Sequence, residues 1–162
     1  FLAGLLHDYG KLLIAAALPT EFTAIMRKVT QEGIPLLEAE RSVIGFTHPE
    51  LSGLTLRAWN LPTEIVRAVE FHHEPEQEEL SVLEAKPGFL LGRVVFTADQ
   101  VVHHLGIHTF PTEAPGDSAG ENPLQTGKGN AQASLELLGF RDGAAKILDE
   151  FEVEFEAIRS FF

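Results

Sequence analysis

The chain has 162 residues, 12 Lys+Arg against 24 Asp+Glu for a formal charge of −12, and seven His but no Cys. That length fits about one domain, large enough to bury a core. The absence of cysteine excludes disulfides, thiolate metal sites and thiol nucleophiles, and a strongly acidic surface repels a phosphate backbone, so binding of nucleic acid by a basic face is excluded.

The longest purely aliphatic run, Leu12–Leu18, is seven residues, far short of the roughly 20 needed to span a bilayer. Phe1 to Leu6 reads as the interior of an apolar helix, without an initiator Met or the charged start and cleavage site of a signal peptide. The expectation is that the chain is the latter part of a larger domain. Pro19 opens a helix whose apolar residues Phe22, Ile25, Met26 and Val29 follow at helical spacing until Gly33. Pro35 opens another, ended by Gly45. Thr47-His48-Pro49-Glu50 has the T-x-x-E form of a capping box, and the helix behind it reaches about Trp59. Pro62 opens the next, with Ile65, Val66 and Val69 on one stripe that runs to His72 and His73.

Residues 74–86 carry five Glu and one Lys and read as a solvated linker or short surface helix. Residues 88–105 form an apolar helix containing Leu91, Val94, Val95, Ala98, Val102 and Leu105. From Pro111 to Ala131 there are three Pro, four Gly and little to bury, the composition of a long loop or disordered segment. A short helix is expected over Ala133–Leu138. The final helix places Ala144, Leu148, Phe151, Phe155, Ile158 and Phe162 on one stripe and acids on the other face. The chain is thus expected to be all-α, with a helical core over 1–106, a flexible loop or linker over 107–131 and a C-terminal helical extension over 132–162.

Polar residues interrupt this apolar pattern in three places. His7-Asp8 lies between Leu5-Leu6 and Leu12-Leu13-Ile14; a carboxylate there is costly to bury unless a cation or donor meets it. Lys11 supplies a nearby charge, so an Asp8–Lys11 ion pair at a helix end is one reading and a metal ligand the other. His72-His73 terminates an apolar stripe, so at least one imidazole is expected to face inward. Adjacent helical side chains diverge by about 100°, so the two rings are expected to flank a metal pair or substrate rather than chelate one ion together, unless they are merely a helix-end cation or a satisfied core group. Asp99 shares the apolar face of Val95 and Val102, and His103, one turn on, is placed to orient it or is simply a polar residue at a helix end. His48 begins the capped helix, and Glu50 is better read as its capping group than as a ligand. Together these form a nitrogen/oxygen ligand set for one or two divalent metals, suited to Fe, Mn, Zn, Ni or Co, or to Mg through carboxylates. Such centres hold phosphate oxygens and activate water for phosphoester hydrolysis.

Phe1-Leu2-Ala3-Gly4-Leu5-Leu6-His7-Asp8-Tyr9-Gly10-Lys11 resembles the signature of the HD metal-dependent phosphohydrolase superfamily. Glu40-Arg41-Ser42-Val43-Ile44-Gly45-Phe46-Thr47-His48, then Trp59-Asn60-Leu61-Pro62, then His72-His73, resembles the HDOD family, the HD-related output domains of bacterial signalling proteins. The resemblance runs from Phe1 to about Gly106. It implies an all-α HD-type fold and a cytoplasmic location. It also implies that His7, Asp8, His48, His72, His73 and Asp99 match metal-binding positions of the related HD-GYP phosphodiesterases, and that Lys11 matches a lysine near the substrate phosphate. In HD domains a further histidine comes from an upstream helix, which would precede Phe1. In place of the Asp-Gly-x-Gly-Tyr-Pro stretch of HD-GYP enzymes, this chain has Pro75-Glu76-Gln77-Glu78-Glu79.

Two functions follow as expectations. The first is a regulatory output module with an HD-type metal site that does not cleave cyclic di-GMP, acting through protein partners or self-association along Leu148, Phe151, Phe155, Ile158 and Phe162. The second is a metal-dependent phosphohydrolase of nucleotides or cyclic dinucleotides, with Asp8 and Lys11 in catalytic roles.

Overall fold

The computed structural model describes residues 1–80, 91–104 and 127–160, and among these the secondary structure is helical with no strand. The helices are α1 (Leu2–Leu6), α2 (Tyr9–Ala17), α3 (Pro19–Glu32), α4 (Leu36–Ile44), α5 (His48–Ala58), α6 (Thr63–Glu70), α7 (Pro75–Leu80), α8 (Leu91–His104), α9 (Gly127–Leu137) and α10 (Ala144–Arg159). This is the all-α HD-type fold expected from the sequence. The chain divides into two compact units within α8, between Val95 and Phe96.

In the first unit the helix boundaries follow local chemistry. Pro19 occupies the first turn of α3, where its missing N–H costs nothing. Gly45 ends α4 with φ of 83°, a left-handed geometry in which its N–H reaches the Arg41 carbonyl and in which a side chain is disfavoured. The capping box of α5 is formed: the Thr47 N–H donates to Glu50 Oε2 at 2.8 Å. Asn60, the residue type that best tolerates a left-handed backbone after glycine, makes the turn between α5 and α6 with φ of 58°.

Two apolar clusters hold this unit. One joins Ala3 of α1 to Leu56 of α5, Val66 and Val69 of α6 and Val95. The other joins Ile14 of α2 to Ile25 and Val29 of α3 and Ala39 of α4. Helix α5 packs against both α2 and α6, and that placement brings the residues around 8, 48 and 72 to one locus.

The second unit is built on Val101 of α8, Ala131 and Leu135 of α9, and Ala144 and Leu148 of α10. Helix α9 begins at Gly127, so residues 127–131, expected in the loop, are helical. Residues 107–126 lie outside the described residues, as do Leu105 and Phe162. Leu148, expected on a partner-facing stripe, is buried in this unit's core, whereas Phe151, Val153 and Ile158 are exposed. No helix among the described residues is long and apolar enough to cross a membrane.

Candidate metal centre

Asp8 immediately precedes α2 without capping it through its side chain, His48 is the first residue of α5, and His72 and His73 follow the end of α6. One ligand atom from each of these four lies within 4.8 Å of the others. The close approach depends on Gly10. A Cβ there would sit 2.1 Å from the His48 carbonyl oxygen, so only glycine lets α2 cross the start of α5. Its N–H donates to Ser52 Oγ at 2.7 Å, and that hydroxyl in turn lies 3.3 Å from the His7 carbonyl oxygen.

The rings are oriented from behind. His48 is fully buried and its Nδ1 lies 2.9 Å from both oxygens of Glu40, while its backbone N–H donates to Glu40 Oε2 at 2.8 Å. His72 Nδ1 donates to the Val69 carbonyl at 2.6 Å, and His7 Nδ1 to the Gly4 carbonyl at 2.7 Å. Carboxylate and carbonyl oxygens only accept, so each Nδ1 carries a proton, and in the neutral ring each Nε2 presents a lone pair. This is the arrangement by which proteins fix the tautomer of metal-ligating histidines.

The presented atoms converge. His48 Nε2 is 3.2 Å from Asp8 Oδ1 and 3.2 Å from His73 Nε2, and His72 Nε2 is 3.6 Å from Asp8 Oδ1. Although these separations are short, Asp8 Oδ1 and His72 Nε2 are buried without a hydrogen bond. A neutral ring protonated at Nδ1 turns a lone pair, not a proton, toward this oxygen. Either a proton or a cation must sit among them. Burial, the largest influence, holds His72 below its ordinary pKa of 6.5 against the opposing pull of Asp8 and the Val69 carbonyl; this disfavours the proton at neutral pH. Burial pushes the Asp8 carboxyl up, but hydrogen bonding by the His48 and His72 rings when they carry the proton, with the Lys11 and His7 charges, outweighs it and holds the group far below the usual carboxylate range. Donors about 2.0–2.2 Å from a tetrahedral ion lie roughly 3.3–3.6 Å apart, close to the three separations given above, and the whole group lies within 4.8 Å. The residues fit a divalent cation.

Of the six ligands expected, four are brought together. His7 stands beside them, its ring edge-on to His72 with centroids 5.0 Å apart. Asp99 belongs to the second unit, where His103 Nδ1 lies 3.2 Å from its carboxylate and 2.8 Å from its carbonyl oxygen. The Asp8–Lys11 ion pair is also present, at 2.7 Å. The expected divergence of His72 and His73 is not seen: their ring centroids are 4.1 Å apart. Helix α6 ends at Glu70, so the two histidines lie in a turn, where the 100° helical rotation does not apply. Glu40 and Ser52 were missed as parts of this centre. Glu40 lies eight residues before His48, on the far side of a turn, and only the fold reveals that it is the buried acid.

Residues 1–75 match the model of the HDOD domain. This part of the chain belongs to the HDOD family. The matched span includes Asp8, His48, His72 and His73 and ends before Asp99, short of the Gly106 limit of the sequence resemblance. An uncharacterized protein of Treponema pallidum (strain Nichols) is 28% identical over 75 residues, which are 45% of this chain. The chain spans only 14% of that relative's length. No solved structure matches.

Proposed function

We propose that the HDOD segment is a regulatory output module of a bacterial signalling protein, carrying a divalent metal centre that does not turn over cyclic di-GMP. Asp8, His48, His72 and His73 would hold the ion, with Glu40 orienting His48. A divalent ion bound there supplies Lewis acidity and a fixed positive charge.

The observation that carries the regulatory reading is the charge of the cleft at His73. This cleft, about 640 Å³, is lined by Glu38, Glu50, Glu70, Glu74 and Arg41 beside His73. Arg41 is paired with Glu50 at 3.0 Å, and Glu70 is paired with Arg57. A phosphodiester approaching His73 meets carboxylates and no unpaired cation in that lining, the opposite of the positive clamps that stabilise phosphoryl transition states. Lys11, the expected phosphate contact, is buried and held on Asp8.

The rival reading, a metal-dependent phosphohydrolase, is favoured by one observation: all four convergent positions keep competent ligands. The test is turnover of cyclic di-GMP and of nucleoside phosphates by the full protein loaded with Mn(II), Co(II) or Fe(II). Metal binding without turnover is expected. Turnover that Asp8→Asn abolishes would establish the hydrolase instead.

A further inference from the structure

The Asp8 carboxylate faces two ways. Its Oδ1 points to the His48 and His72 Nε2 atoms, at 3.2 and 3.6 Å. Its Oδ2 points to Lys11 Nζ at 2.7 Å and to His7 Nε2 at 3.6 Å. Carboxylates that bridge two metal ions offer one oxygen to each, so the Oδ2 side is where a second ion would sit. Here that side holds an ammonium. Lys11 is only 8% exposed and lies one turn along α2 from Asp8, so it has little room to withdraw. A dication placed against Oδ2 would meet the Lys11 charge within a few ångströms inside the protein, where the effective dielectric is low and like charges repel strongly.

We infer that the centre is built for a single divalent ion, with the Lys11 ammonium standing as the second cation on Asp8. This rests on the metal-centre reading and adds its stoichiometry. It gives Lys11 a role that needs no substrate: it neutralises the Asp8 oxygen that the ion does not use, and it keeps the His7 side from completing a second site. With Lys11 replaced by a neutral side chain, Asp8 Oδ2 and His7 Nε2 become two protein donors for an additional, weaker ion.

The test counts metal. Full protein stripped with chelator is dialysed against Mn(II) over a hundredfold concentration range, and bound metal is measured by elemental mass spectrometry beside electron paramagnetic resonance. The wild type is expected to saturate at one equivalent with an uncoupled Mn(II) spectrum. Lys11→Met, checked for native helicity by circular dichroism, is expected to bind a second, weaker equivalent with an exchange-coupled signal, and Lys11→Arg to keep one. Two equivalents or a coupled pair in the wild type would overturn the inference, whether or not Lys11→Met folds. A folded Lys11→Met that stays at one equivalent would overturn it as well. No bound ion in the wild type would instead overturn the metal-centre reading on which it rests.

Discussion

Asp8 is the pivotal side chain of the centre: its carboxyl is held far below the usual range, and its buried Oδ1 faces the His48 and His72 Nε2 atoms without a hydrogen bond. Replacing it with Asn removes the negative charge and keeps the volume, so Asp8→Asn is expected to weaken Co(II) affinity by at least about a hundredfold by calorimetric titration, with helicity unchanged. Glu40→Gln leaves an acceptor for His48 Nδ1 but loses the charge behind the ring, and a loss of about 10- to 100-fold in metal affinity is expected, the usual effect of removing such a partner. Acid titrates the metal-free centre in a defined direction. His72 has a folded-state pKa below 6.5, so the unfolded chain takes up its proton first and acidification favours unfolding. Stability is expected to be full above pH 6.5 and to fall as the pH drops below it, with Asp8 and Glu50, both lowered in the folded state, adding to the loss under strongly acidic conditions. Urea midpoints at pH 7.5 and 5.5 check this, and His72→Gln should flatten the difference. His7-Asp8, His48 and His72-His73 were legible in the sequence because each breaks an apolar run. Glu40 was not, since helical periodicity does not say which of several acids on a helix is the buried one.

At the scale of elements, the start of α5 is the hinge of the site. Its capping box was readable from Thr47 and Glu50, and it fixes His48 at the first helical position. Thr47→Ala is expected to cost about 1 kcal/mol in chemical denaturation, as N-cap losses do, and to weaken metal binding along with it. Gly10→Ala should be worse. Its methyl would run into the His48 carbonyl rather than into a movable side chain, and overpacking of this kind costs about 1–3 kcal/mol. The sequence shows a glycine at position 10 but not its partner, because a contact 38 positions away leaves no local periodic signal. The turn holding His72 and His73 was misjudged for a related reason: the apolar stripe of α6 continues up to them in the sequence, while the helix itself stops at Glu70. The start of α9 was misplaced because Gly127 and Gly129 disfavour a helix locally, and Ala131, buried against the second unit's core, overrides them.

For the whole molecule, the −12 charge and the acidic cleft at His73 act together, and both oppose a polyanionic ligand. A cation bound at the centre runs with that field, and because the four donors assemble only in the folded chain, it stabilises folding by mass action, about 2.7 kcal/mol at a hundredfold excess over the dissociation constant. The most direct measurement is anomalous diffraction at the metal edge from crystals of the full protein grown with Mn(II) or Zn(II). The expected result is a peak within bonding distance of Asp8 Oδ1, His48 Nε2, His72 Nε2 and His73 Nε2. A map with no peak there at full metal concentration, and with ordered water joining these four atoms instead, would contradict it.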